Sequence, residues 1–138
     1  MRIALVGYGY WGPNVARQLY ANKNIEFVAI CDKKKDRLEK AKMLYMEKLA
    51  YISDYSKIVE DPTIDAVCLA VETSAHYDLA KAALLAGKHV YVEKPFTSTV
   101  AEAEELKQIA DSRKLIIHVD HIMIYHPCIM KIKELIDC

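Results

Sequence analysis

Three glycines and one carboxylate carry the first chemical signal. Gly7, Gly9 and Gly12 form the pattern G-x-G-x-x-G, and Asp32 stands twenty residues beyond Gly12. An apolar run, Ile3 to Val6, precedes the glycines, and residues at helical spacing follow them. That order and that distance are those of a dinucleotide site. Gly7 lets the chain turn tightly off the strand, Gly9 lets a pyrophosphate approach the backbone, and Gly12 lets the helix pack close to the sheet. The amides of Tyr10, Trp11 and Gly12 would then face phosphates at the positive end of the helix. Asp32 accepts hydrogen bonds only, so it suits the two hydroxyls of an adenosine ribose. It repels a 2′-phosphate, which makes NAD the expected cofactor and NADP the less favoured one. Lys33, Lys34, Lys35 and Arg37 read most simply as solvated residues at a helix start. The alternative is that a cation beside Asp32 accepts the phosphate.

A second charged stretch, Glu93-Lys94-Pro95, lies at the end of the expected strand His89 to Glu93. On residue types alone it is a charged turn at a strand end. His118, Asp120, His121 and His126 invite a metal reading. Alternation along a strand puts His118 and Asp120 on one face and His121 on the other, which splits the cluster. No metal site is expected.

The elements that must position these residues alternate along the chain. Strands are expected at Arg2–Gly7, Glu26–Cys31, Leu49–Ala50, Ala66–Val71, His89–Glu93 and Leu115–Asp120. Helices are expected at Gly12–Ala21, Lys34–Tyr45, Ala75–Ala86, Thr99–Ser112 and Pro127–Ile136, with a short one ending at Val59. Pro13 suits a first helical turn, Gly87 a helix end, and Ser98 or Thr99 a cap. Strands joined by helices imply an α/β fold: a doubly wound, mostly parallel sheet with helices on both faces, the Rossmann arrangement. Ligands of such sheets bind beyond the carboxyl ends of the strands. Gly7, Asp32, Val71, Glu93 and Asp120 all lie at those ends. The division expected is a nucleotide-binding domain over residues 1–122 and a connecting helix over 123–138.

Lysine plus arginine and aspartate plus glutamate number 19 each. That balance gives no electrostatic case for nucleic acid or an anionic membrane as partner. No apolar run approaches a membrane span, and Met1 leads directly into a strand rather than a leader. The four cysteines are widely spaced with no C-x-x-C pair. Cys31 and Cys68 are expected as small core residues in a reducing, cytoplasmic setting.

The stretch Ala70–Phe96 makes a resemblance specific. Gly87-Lys88-His89-Val90 followed by Glu93-Lys94-Pro95 resembles the signature of the Gfo/Idh/MocA family of NAD(P)-dependent sugar and inositol dehydrogenases. The run Gly9 to Asn14 most resembles members acting on nucleotide-linked sugars. The resemblance covers Arg2 to about Asp137. It implies that Lys94 is the catalytic lysine, an ammonium able to polarise a carbonyl or orient a hydroxyl. It implies that Glu93 holds the nicotinamide ribose and that Pro95 fixes the lysine's approach, through a bond that can be cis. Thr73 and Ser74 would line the cofactor with backbone groups. His76 matches a histidine beside the nicotinamide; the alternative is a half-buried histidine near a helix start. His121 matches a family histidine with no role assigned. Glu72 departs from the family's usual proline and receives no role.

Family members continue into a second domain that carries most substrate contacts and the usual oligomer interface. The expectation is therefore the cofactor domain of a sugar or nucleotide-sugar oxidoreductase, without the substrate domain and inactive by itself. It should form homo-oligomers through the apolar residues of the last helix. The rival reading is a non-enzymatic module that binds nucleotide or self-associates.

Overall fold

The computed structural model describes residues 1–137; Cys138, the last residue of the expected connecting segment, lies outside them. Six strands form one sheet in the order β3-β2-β1-β4-β5-β6, every pair parallel. They are β1 (Arg2–Val6), β2 (Glu26–Cys31), β3 (Ala50–Ile52), β4 (Ala66–Leu69), β5 (His89–Val92) and β6 (Ile117–Val119). The helices are α1 (Gly12–Ala21), α2 (Lys35–Tyr45), α3 (Ser56–Glu60), α4 (Thr73–Leu85), α5 (Val100–Arg113) and α6 (Pro127–Ile136). The fold is the α/β Rossmann arrangement expected from the alternation of elements. Strand order reverses between β1 and β4, the place where such sheets open a crevice for ligand.

Alternating side chains build a core on each side of the sheet. Val6, Val67, Leu69, Val90 and Val92 pack against Ala80, Ala83 and Leu84 of α4 and Leu106 and Ala110 of α5. Ile3, Leu5, Phe27 and Ile30 pack against Ala16 of α1 and Leu38, Ala41 and Tyr45 of α2. The α1–α2 layer stops over β1, β2 and β3. Beyond it, Tyr91 of β5 stacks on His118 of β6, ring centroids 5.3 Å apart, beside Cys68 of β4.

Boundaries differ from expectation where hydrogen bonding decides them. β3 begins one residue later, at Ala50, because its ladder pairs Ala50, Tyr51 and Ile52 with Ala29, Ile30 and Cys31. Leu49 is instead buried as a core residue. α4 begins at Thr73, two residues early, with Glu72 as its cap. β6 is shorter than expected because Lys114 adopts a left-handed conformation that ends α5 and delays the strand. Thr99, not Ser98, caps α5: its Oγ1 accepts from the Glu102 amide and the Glu102 carboxylate accepts from the Thr99 amide. α6 has the expected bounds. Its apolar Ile129, Met130, Ile132, Leu135 and Ile136 are all exposed. Among the described residues no helix is long and apolar enough to cross a membrane.

Candidate functional site

The turn after β1 is set by backbone geometry. Gly7 has φ +95°, and a Cβ there would overlap the Ala70 carbonyl oxygen. A Cβ on Gly12 would overlap the Gly7 carbonyl oxygen, so α1 starts in direct contact with the strand it follows. Gly9 differs. Its nearest neighbour would be the movable Arg37 guanidinium at 3.4 Å, and it opens on a groove. Nothing in the chain's own packing requires glycine at that position, and a glycine there leaves room for a ligand to approach the backbone. Pro13 sits in the first turn of α1, and no side chain caps that helix. Among the described residues, no protein acceptor takes the amides of Gly9, Tyr10, Trp11 and Gly12. Free amides at a helix start bind anions.

Two grooves flank this loop. The first, about 570 Å³, is lined by Gly7, Gly9, Tyr10, Asp32, Lys33, Lys34, Arg37, Tyr55, Glu72 and Ala75, among others. Tyr10 is 97% exposed at its mouth. Asp32, only 7% exposed, is held at the end of β2. Its Oδ2 accepts from the Tyr8 amide at 2.7 Å and from Arg37 at 3.1 Å, and its Oδ1 accepts from the Lys34 amide at 2.8 Å. A carboxylate offers about four acceptor sites, so one site remains for a hydroxyl. Arg37 is thus not the freely solvated residue its place at a helix start suggested. α2 begins at Lys35, and the first turn directs the guanidinium back onto Asp32.

The second groove, about 640 Å³, runs along α1 and the bare strip of sheet, and includes Trp11, Cys68, Tyr91, Glu93 and Asp120. Glu93 is 9% exposed at the end of β5. Burial, and next the charge of Asp120, hold its carboxyl above the usual carboxylate range; the Trp11 indole and Lys94 oppose this. From the sequence, Asp120 is a strand-end residue that was weighed as a metal ligand, with no role beside Glu93. The signal that places it beside Glu93 is the parallel register, since Val92 pairs with Val119 and each acid follows its strand.

His76, expected beside the cofactor, is 1% exposed and closed off from both grooves. Its Nδ1 lies 2.9 Å from the Pro95 carbonyl and 3.3 Å from that of Phe96, and its Nε2 lies 3.2 Å from that of Val71. It ties the loop after β5 to the loop after β4. The Lys94–Pro95 bond is cis, and Lys94 itself is exposed. Thr73 is half-buried at the start of α4, and the groove wall comes from its neighbours Glu72 and Ala75. Glu72, Tyr55 and Arg37 are lining residues that the sequence motifs do not mark.

Residues 1–121 match the family described as an oxidoreductase family with an NAD-binding Rossmann fold. An uncharacterized oxidoreductase of Escherichia coli, YdgJ, is 34% identical over 88% of this chain and 34% of its own length. Inositol 2-dehydrogenase/D-chiro-inositol 3-dehydrogenase of Lactiplantibacillus plantarum is 28% identical over 99% of this chain and 39% of its own length. The crystal structure of KijD10, a 3-ketoreductase from Actinomadura kijaniata in complex with TDP-benzene and NADP, superposes with a TM-score of 0.88 at 25% identity. That match covers 99% of this chain and 43% of that one. The chain thus spans between a third and two fifths of the two curated relatives. With the glycine loop, the buried acid after β2 and the strand order all in agreement, the chain belongs to the Gfo/Idh/MocA oxidoreductase family, as its NAD-binding Rossmann domain.

Proposed function

We propose that this chain binds a nicotinamide dinucleotide, NAD in preference to NADP, as the cofactor half of an oxidoreductase acting on a sugar or nucleotide-sugar hydroxyl. The observation that carries the reading is the Gly7–Gly12 turn, whose Gly9 and Tyr10 line the groove that holds Asp32 and whose amides from Gly9 to Gly12 have no acceptor among the described residues. Gly9, Tyr10, Trp11 and Gly12 hold the pyrophosphate through their amides, and Asp32 takes an adenosine ribose hydroxyl at its remaining acceptor site. Glu93 accepts from the nicotinamide ribose, the backbone near Thr73 borders the cofactor, and His76 fixes the Pro95 loop. The bound nicotinamide supplies the hydride chemistry. Lys94 directs its ammonium at the reacting oxygen. It stands in water, where such an effect on a carbonyl is weak, so turnover needs a further surface to close over it. A 3-ketoreductase and an inositol dehydrogenase among the relatives support a polyhydroxylated substrate.

The preference for NAD rests on the Asp32 carboxylate, which a 2′-phosphate would meet at close range. Arg37 offsets part of that repulsion but is already paired with the acid. Calorimetric titration should show NADH binding about tenfold or more tighter than NADPH, about 1.4 kcal/mol. In Asp32→Ala the gap should close or invert, because Arg37, Lys33 and Lys34 then face the phosphate unopposed. Strong NADPH binding that is equal to NADH in both proteins would contradict the preference.

A further inference from the structure

We propose that Glu93 and Asp120 hold one proton between them and release it when the oxidised nicotinamide binds, so that the pair discriminates the two redox states of the cofactor. This rests on the dinucleotide reading above and adds to it a role for Asp120. The two acids leave the ends of neighbouring parallel strands, Val92 pairing with Val119, and the Asp120 amide donates to the Val92 carbonyl at 2.9 Å. Both line the second groove. Glu93 is 9% exposed, and its buried Oε1 has no hydrogen-bond donor among the described residues. Two ionised carboxylates can only accept, so they cannot satisfy one another; a proton on either one supplies the missing donor.

Groups from every neighbouring element face the pair: Trp11 and Arg17 of the α1 segment line the same groove, His118 of β6 stacks on Tyr91, and Lys94 and His121 follow the two acids in the chain. Burial, and next the neighbouring Asp120, raise the ionisation of the Tyr91 hydroxyl far above the neutral range. The Cys68 thiol from β4 is pushed up to about 12 by burial and then by the two acids. Tyrosine and cysteine therefore stay neutral, and one proton shared by two carboxyls titrates as a property of the pair.

The placement of the groove connects the pair to the cofactor. Tyr10 borders the first groove and Trp11 the second, so the glycine loop separates them. A dinucleotide with its adenosine at Asp32 and its pyrophosphate on the loop directs its nicotinamide half toward Trp11, Glu93 and Asp120. Oxidised nicotinamide is a pyridinium cation and reduced nicotinamide is neutral. The free pair carries one proton and one negative charge. A pyridinium beside it favours two negative charges, and the proton leaves to solvent. The neutral ring provides no such drive, and the proton stays. Affinity for NAD⁺ should accordingly rise with pH, up to tenfold per pH unit across the interval in which the free pair titrates, while affinity for NADH stays flat.

Calorimetry of the whole chain with NAD⁺ and with NADH, each in two buffers of different ionisation enthalpy, reads proton release directly. Release is expected with NAD⁺ and not with NADH. Asp120→Asn, whose amide gives Glu93 a permanent donor, should remove the release and flatten the pH dependence. A carbon-13 NMR titration of Glu93 Cδ in the free protein should show its step above the usual carboxylate range, and Asp120→Asn should lower that step. Equal release with both cofactors, release undiminished in Asp120→Asn, or a Glu93 step in the ordinary range that Asp120→Asn leaves in place would each overturn the proposal. If the folded protein binds neither cofactor, the dinucleotide reading falls together with the discrimination. If both bind with identical proton release, only the discrimination falls.

Discussion

Replacing Gly12 with valine will weaken dinucleotide binding and the fold together. A Cβ at this position overlaps the carbonyl oxygen of Gly7, an atom held by the turn and by the Gly7 amide bond to the Cys31 carbonyl at 2.8 Å. Neither partner is a flexible side-chain end, so α1 must move off β1. Overpacking of this kind costs about 1–3 kcal/mol, read by urea or thermal denaturation. Moving α1 also turns its amides away from the phosphates, and affinity for NADH should fall about a hundredfold or more, which is about 2.8 kcal/mol. Gly9→Val separates the two effects. Its Cβ meets only the movable Arg37 guanidinium and fills the groove, so binding should be lost while stability changes little. A Gly12→Val protein with unchanged stability and unchanged affinity would show that the close contact between α1 and β1 is not needed.

Lys88→Met will destabilise the domain without touching the cofactor grooves. Lys88 is 2% exposed at the amino end of β5, and its Nζ donates to the Asp61 carbonyl at 2.6 Å and the Ile64 carbonyl at 2.9 Å. Burial pulls the ammonium below the usual lysine range, opposed by the charges of Asp61 and Asp65. Methionine keeps the volume and removes both donors. Each carbonyl left buried without a partner costs about 1–3 kcal/mol. Chemical denaturation should show a loss within that range for one to two such groups, while NADH affinity of the folded protein stays as in the parent. Wild-type stability would mean that the loop between α3 and β4 finds other donors at no cost.

These two residues illustrate how unevenly a sequence reports its structure. The glycine loop was legible because its flanking strand and helix leave no room for a Cβ at Gly7 or Gly12. The doubly wound parallel sheet was legible because alternating elements and right-handed crossovers leave few arrangements, while the order of its strands came only from the fold. The engagement of Asp32 by Arg37 was not. It depends on where α2 begins, and a boundary shift of a residue or two redirects the side chain. His76 was read either as a cofactor contact or as a half-buried histidine near a helix start; it is buried near the start of α4, and three carbonyls from two loops converge on its ring. Only the folded chain brings those loops together. Asp120 looked like a member of a histidine cluster because adjacency in sequence hides the register that sets it opposite Glu93. Lys88 passed as part of a signature, although its ammonium is held by two carbonyls at the amino end of β5, away from both grooves.

The most direct test of the account is titration of the folded protein with NADH, following both heat and the emission of Trp11, the single tryptophan of the chain. Trp11 stands at the start of α1 between the two grooves. The account predicts one cofactor per chain, quenching of Trp11 that saturates with the calorimetric isotherm, and loss of both signals in Gly9→Val. A folded sample in which NADH neither releases heat nor quenches Trp11, or in which Gly9→Val binds as the parent does, would contradict the assignment of the glycine loop as the dinucleotide site.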